Sequence, residues 1–74
     1  MVSLHERLKI IRRERKFTQP NVAKNCNISL RTYKYYESGE RKPNSDVLIA
    51  LADYFDVSID FLCGRTDNKD SHKL

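Results

Sequence analysis

Apolar residues recur along this chain at helical spacing, and a small polar residue stands before each run. Leu4, Leu8 and Ile11 make one stripe, which predicts a first helix from about Leu4 to Arg15. Ser3 and Glu6 before it fit a capping box, in which each side chain satisfies a free N–H of the first turn. Thr18 is a good N-cap for a second helix, with Pro20 in its first turn and Phe17 and Val22 at the spacing of a hydrophobic staple. That helix is expected to end near Asn25 to Asn27. Ser29 then caps a third helix running to Glu37 or Ser38, which Gly39 closes in the left-handed conformation. A fourth helix, from about Asp46 to Phe55, is capped by Asn44 or Ser45. Its wide stripe of Val47, Leu48, Leu51, Tyr54 and Phe55 predicts burial on more than one side. Ser58 caps a short fifth helix that stops at Cys63 and Gly64, with Val57 and Leu62 as a second staple. From Asp67 the chain turns polar and is expected to fray, so residues 1–66 read as one domain and 67–74 as a tail.

The connection between the second and third helices is the distinctive part. Three residues, Asn25 to Asn27 or close to that, join two short helices, and Asn27 tolerates the left-handed backbone of such a turn. Val22, Ala23, Cys26, Ile28, Tyr33 and Tyr36 then form the inside of the unit. On a wheel of about 100° per residue, setting Tyr33 inward brings Tyr36 and Glu37 to the same side. Arg31 and Tyr35 point nearly opposite, with Thr32 and Lys34 on the shoulders. This exposed face suits base edges and phosphates, and a DNA major groove admits one helix. Leu30, at the helix start, either touches a thymine methyl or sits at the edge of the core.

Charge sharpens this picture. Residues 1–42 carry eleven Lys/Arg against four Asp/Glu, and residues 43–74 carry three against six; +7 and −3 sum to the net +4. A basic front and an acidic back suit a polyanion-binding face and a separate second face, although solvated charge is ordinary in helical proteins. The 74 residues allow one small core and no large catalytic cleft. No Ser/His/Asp or Cys/His set, paired carboxylates in a cleft, or phosphate-cradling glycine loop can be assembled, so an enzyme is not expected. Cys26 and Cys63 lie in apolar patterns and read as reduced thiols. Neither they nor His5 and His72 have metal-ligand spacing, so no metal or cofactor is expected. No apolar run approaches the ~18 residues of a membrane span and no signal peptide is visible, which points to the cytoplasm. RNA recognition would call for an aromatic sheet or a GXXG loop, and neither is present.

Several motifs occur together in one order. Thr18-Gln19-Pro20-Asn21-Val22-Ala23 is followed by Ile28-Ser29, then by Tyr36-Glu37-Ser38-Gly39-Glu40-Arg41-Lys42-Pro43. Leu51-Ala52 and Phe55-Asp56-Val57-Ser58-Ile59-Asp60-Phe61-Leu62 complete the series. Over residues 3 to 66 the chain resembles the Cro/repressor (Xre) type helix-turn-helix regulators. The resemblance implies an all-α, compact five-helix bundle of the lambda-repressor-like type, with the helix-turn-helix in helices two and three.

The same resemblance implies roles. Gln19 matches a residue that holds a DNA phosphate and braces the recognition helix, residues 29–38. Ser29, Arg31, Thr32, Lys34 and Tyr35 fall where bases and nearby phosphates are met, with Arg31 the first choice for a bidentate bond to guanine. Leu30, Arg31, Thr32, Lys34 and Tyr35 are therefore expected to read bases. Gln19, Ser29, Ser38, Arg41, Lys42 and Asn44 are expected to hold phosphates. Arg12 and Glu37 match an internal, largely buried ion pair. The chain departs from the pattern at Asn27, where glycine is common, at Pro20, and at Tyr33 and Tyr36, which replace smaller aliphatics. Two buried tyrosines need hydroxyl partners, or must tip their hydroxyls to the surface.

Proteins of this type usually dimerise, and Tyr54, Phe55, Ile59, Phe61 and Leu62 supply apolar surface for a homodimer through helix five and the end of helix four. No second domain is expected, and with it neither a self-cleaving peptidase half nor an effector pocket. A stand-alone repressor of phage or mobile-element type, blocking polymerase from an operator on double-stranded DNA, fits best. A restriction-modification controller or an antitoxin would use the same fold, and polymerase, a toxin or an antirepressor are the candidate protein partners. A module that binds only protein through these helices is the alternative from another class.

Overall fold

The computed structural model describes residues 2–69. It is all-helical, in the order α1 (Leu4–Glu14), α2 (Gln19–Asn25), α3 (Leu30–Ser38), α4 (Ser45–Phe55) and α5 (Ile59–Leu62), with no strand among the described residues. Four of these helices start where the chain offers a short polar side chain. The side-chain oxygens of Thr18, Ser29, Asn44 and Ser58 accept the N–H groups of Asn21, Thr32, Val47 and Phe61 at 3.2, 3.0, 2.9 and 3.0 Å. Each bond satisfies a backbone donor that the first turn leaves open. Asn44 is thus the cap of α4, and Ser45 its first residue.

The capping box expected at α1 does not form. Ser3 is extended at the N-cap, but its hydroxyl makes no bond to the backbone. It donates to Glu6 Oε1 at 2.9 Å and lies 3.1 Å from His5 Nδ1. A hydroxyl bonds a carboxylate more strongly than it bonds a backbone amide, so the two halves of the box pair with each other.

Left-handed residues end the helices. Gly39 closes α3 at φ 86° and Asp56 closes α4 at φ 59°, while Asn27 turns the chain between α2 and α3 at φ 62°. Lys16 adopts φ 60° just past the end of α1, which nothing in its side chain favours.

The core draws on every helix. Leu8, Ile11, Val22, Ala23, Cys26, Tyr33, Tyr36, Leu51, Ala52, Phe55, Val57, Phe61 and Leu62 are all buried, with Leu4, Phe17, Ile28, Val47, Leu48 and Tyr54 packed around them. Phe17 seals the α1–α2 connection against α4, its ring 5.0 Å from Tyr54 and 6.2 Å from Phe55. Both cysteines are free thiols.

This packing corrects the expected dimer surface. Phe55, Phe61 and Leu62 are 1%, 4% and 0% exposed. A four-residue α5 spends these side chains on closing its own bundle. Tyr54 is half-buried, and its hydroxyl lies 3.5 Å from Asn25 Nδ2, an interaction made toward α2. Of the five residues only Ile59, 39% exposed, presents much apolar surface.

Arg7 departs from a simple basic face. It is buried, with its guanidinium carbon 4.1 Å from the centroid of the Phe61 ring. The start of the expected tail is also tied down. Ser58 N–H donates to Lys69 O at 2.7 Å, and Lys69 Nζ meets Glu14 Oε1 at 3.1 Å. Residues 70–74 of that tail lie outside the described residues. A cleft of about 400 Å³ separates the start of α1 from the α3–α4 loop, over Leu4, Tyr36 and Leu48.

Candidate nucleic-acid interface

The helix-turn-helix is closed by its own backbone. Cys26 N–H donates to Val22 O at 2.9 Å, Asn27 N–H to Lys24 O at 3.2 Å and Ile28 N–H to Ala23 O at 3.0 Å. Three carbonyls at the end of α2 are thereby used within the turn, and Ala23 is small enough to sit buried where α2 meets α3. Val22, Cys26, Tyr33 and Tyr36 are buried inside the unit as expected, and Ile28 is half-buried.

Beneath the unit lies a charged network. Arg12 Nε donates to Glu37 Oε2 at 2.6 Å and Arg12 Nη2 to Oε1 at 3.2 Å, while Nη1 reaches Phe17 O at 3.0 Å. Gln19 Nε2 donates to Glu37 Oε1 at 3.1 Å. The side chains of Arg12 and Glu37 are 15% and 3% exposed. The last turn of α3 is thereby held to α1, to the α1–α2 connection and to the first residue of α2. Burial by itself would lift the Glu37 carboxyl. Hydrogen bonding from Arg12 and Gln19 and the Arg12 charge outweigh that and hold it below the usual carboxylate range. Hydrogen bonding to Glu37 likewise raises Arg12, against its desolvation.

Tyr33 is the tense member. Burial, with the Glu37 carboxylate next in weight, pushes its phenol above the usual range. The hydroxyl lies in the field of that carboxylate, yet it makes no hydrogen bond of sound geometry and is shut off from water. Removing a buried hydroxyl without a partner relieves a desolvation cost. Tyr33→Phe is therefore expected to leave the thermal midpoint unchanged or raise it by stabilising about 1 kcal/mol. A fall of several degrees in a melting curve would mean that the hydroxyl does bond Glu37.

The outer face of α3 carries the expected groups together. Arg31 and Lys34 are exposed, Leu30 is 36% exposed, and Thr32 and Tyr35 are half-buried. Arg41 and Lys42, on the loop after α3, are exposed too.

The uncharged phosphate-holding candidates already have structural work. Ser29 Oγ caps α3 and donates to Thr32 Oγ1 at 2.8 Å. Ser38 Oγ donates to Tyr35 O at 3.0 Å and accepts Glu40 N–H at 3.3 Å. Asn44 Oδ1 caps α4, which leaves its amide N–H groups to face outward ligands. Gln19 uses one amide N–H on Glu37 and has a second.

One arrangement escaped the sequence reading. Arg31 Nε donates to the Tyr35 hydroxyl at 3.0 Å, and the Arg41 guanidinium carbon lies 4.8 Å from the Tyr35 ring centroid. The i, i+4 spacing of Arg31 and Tyr35 signals the first contact. The second crosses a left-handed glycine, where no periodicity guides the eye.

No group of three or more His, Cys, Asp or Glu able to hold a metal ion occurs among the described residues. No described helix is long and apolar enough to cross a membrane.

Comparison with known proteins bears on this geometry. The helix-turn-helix family model matches residues 8–62. The chain is 40% identical over 73 residues to the cryptic phage CTXphi transcriptional repressor RstR of Vibrio cholerae serotype O1, covering 99% of this chain and 65% of that protein. It is 35% identical over 66 residues to the HTH-type transcriptional regulator ImmR of Bacillus subtilis, covering 89% of this chain and 52% of that one. The chain thus spans between about half and two thirds of these relatives. Among solved structures, the P22 c2 repressor in complex with synthetic operator 9T superposes with a TM-score of 0.79 at 27% identity, over 84% of this chain and 94% of that one. A transcriptional regulator from Listeria innocua gives 0.79 at 40% identity, over 84% and 58%. With its two short helices, its left-handed turn at Asn27 and the matched span from Leu8 to Leu62, the chain belongs to the helix-turn-helix (Xre-type) family of DNA-binding transcriptional regulators.

Proposed function

We propose that this protein is a repressor of phage or mobile-element type. It acts in the cytoplasm as a homodimer on an operator, with α3 in the major groove. One observation carries the reading: the cationic outer face of α3 continues into the exposed Arg41 and Lys42, while the partly buried Arg12–Glu37–Gln19 network holds that face in place. The names of the relatives, and the operator bound to the P22 c2 repressor, support it. Leu30, Arg31, Thr32 and Lys34 read bases. Gln19, Ser29, Ser38, Arg41, Lys42 and Asn44 meet phosphates. The dimer face is the exposed side of α5 around Ile59, in place of the buried residues first expected there. Repression follows from occlusion of polymerase.

Selection of bound sites from a random duplex pool tests the proposal. Selected sites should be two-fold repeats with half-site centres about 34 Å apart. Binding should weaken with salt at a log–log slope of about −0.9 per phosphate contact. Arg31→Ala should lose roughly 10- to 100-fold for the selected site and relax preference at one base pair per half-site. Unchanged half-sites in that variant would remove Arg31 as the reader. Binding indifferent to salt and sequence would overturn the DNA reading and favour a protein-binding module.

A further inference from the structure

We infer that Tyr35 acts as the joint that holds the base-reading arginine and a phosphate-binding arginine in position before DNA arrives. This gives Tyr35 a positioning role in place of the base contact expected from the sequence, and it rests on the DNA-binding reading above. The hydroxyl of Tyr35 accepts Arg31 Nε at 3.0 Å. An arginine anchored through Nε keeps both terminal NH₂ groups free, and those two can meet the O6 and N7 acceptors of a guanine. The ring of the same residue lies 4.8 Å beneath the Arg41 guanidinium carbon. Its backbone carbonyl draws in the loop that carries Arg41, accepting Gly39 N–H at 3.1 Å, Arg41 N–H at 3.4 Å and Ser38 Oγ at 3.0 Å. One residue therefore engages two exposed cations on different elements. Both arginines lean on the electron-rich ring or its oxygen.

The consequence is preorganisation. A free arginine must give up rotamer freedom on binding, whereas one already held gives up less. The arrangement also links readout to affinity, since the ring that steadies Arg41 carries the oxygen that aims Arg31.

Two substitutions separate the two grips. Tyr35→Phe keeps the ring and removes the oxygen. Affinity for the selected operator should fall roughly three- to tenfold, preference at the guanine should relax, and the salt slope should stay unchanged. Tyr35→Leu removes both grips, and the salt slope should also fall by about one per protomer. In the free protein, the Arg31 Nε–H resonance should be protected from exchange, and that protection should vanish in Tyr35→Phe at an unchanged melting temperature.

A double-mutant cycle decides between positioning and direct base contact. In an Arg31→Ala background, Tyr35→Phe should have no further effect on operator affinity. Additive losses would mean that the hydroxyl touches a base itself and would overturn the inference, as would Tyr35→Phe binding indistinguishable from the unmodified protein. Should the unmodified chain itself show no salt-dependent, sequence-selective binding, the failure is that of the DNA reading. The exchange measurement, which needs no DNA, then still tests the Arg31 grip.

Discussion

Glu37→Gln should destabilise the protein by about 3–5 kcal/mol, the range for removing one partner of a buried ion pair. The shape of the side chain is nearly kept, but the Arg12 side chain, 15% exposed, is left carrying a largely buried charge without its counter-ion. In a domain of this size that loss is a large part of the total, and the melting midpoint should drop by roughly 12 °C or more. The double variant Arg12→Met with Glu37→Leu should recover most of the loss, because no charge then remains to be compensated. Operator binding should not recover with it. Gln19 donates to Glu37 Oε1, and without that acceptor the start of α2 is no longer aligned with the end of α3. A calorimetric melt and a binding titration on the same two variants separate the effects. If Glu37→Gln melted with the unmodified protein, the pair would not be the brace it is taken for.

The same pair sets an acid limb. The folded Glu37 carboxyl lies below its usual range, and the unfolded one titrates near the ordinary value of about 4.3. A carboxyl lowered on folding contributes its full stability above the unfolded value and loses it as pH falls through the folded value. The melting midpoint should therefore decline below about pH 4.3, and Glu37→Gln should lack this part of the decline.

That such a pair sits under α3 was implied by the family resemblance, and the helix starts were legible from local chemistry alone. Thr18, Ser29, Asn44 and Ser58 cap because a short oxygen-bearing side chain in extended backbone reaches the N–H three residues on. Ser3 satisfies the same rule and fails, since Glu6 and His5 compete for its hydroxyl. Asn27 announced its left-handed turn. Lys16 could not, because its conformation answers to the bond from Phe17 N–H back to Arg12 O rather than to any preference of lysine.

Tertiary packing explains the larger misses. A helical wheel sorts α1 into an apolar stripe and a basic remainder, and assigns Arg7 to the remainder. Contact with Phe61 from α5, distant in sequence, is what buries it. The apolar residues of α5 posed the converse problem. Their number predicts burial, but periodicity does not distinguish burial within the chain from burial against a partner. Phe61 and Leu62 went to the first use, and Ile59 stayed outside.

Ile59→Glu should consequently produce the largest functional loss. The recognition helix α3 has 9 residues, and such a helix covers only a few base pairs. A dimer on two half-sites converts the second contact into an intramolecular one, which raises apparent affinity by about 10²- to 10⁴-fold. A carboxylate in place of Ile59 would stand opposite its own symmetry copy across a two-fold interface. Folding should tolerate the change, because position 59 is 39% exposed and opens α5, where an acidic side chain suits the first turn. The variant should remain monomeric by light scattering and bind the full operator at least 100-fold more weakly. Its affinity for a duplex carrying one half-site should match that of the unmodified protein, and its salt slope on the full operator should fall toward the half-site value. Full-operator affinity that survives Ile59→Glu would move the dimer face away from α5. A monomeric unmodified protein at high micromolar concentration would leave pairing to the DNA, with the two copies meeting only on the operator.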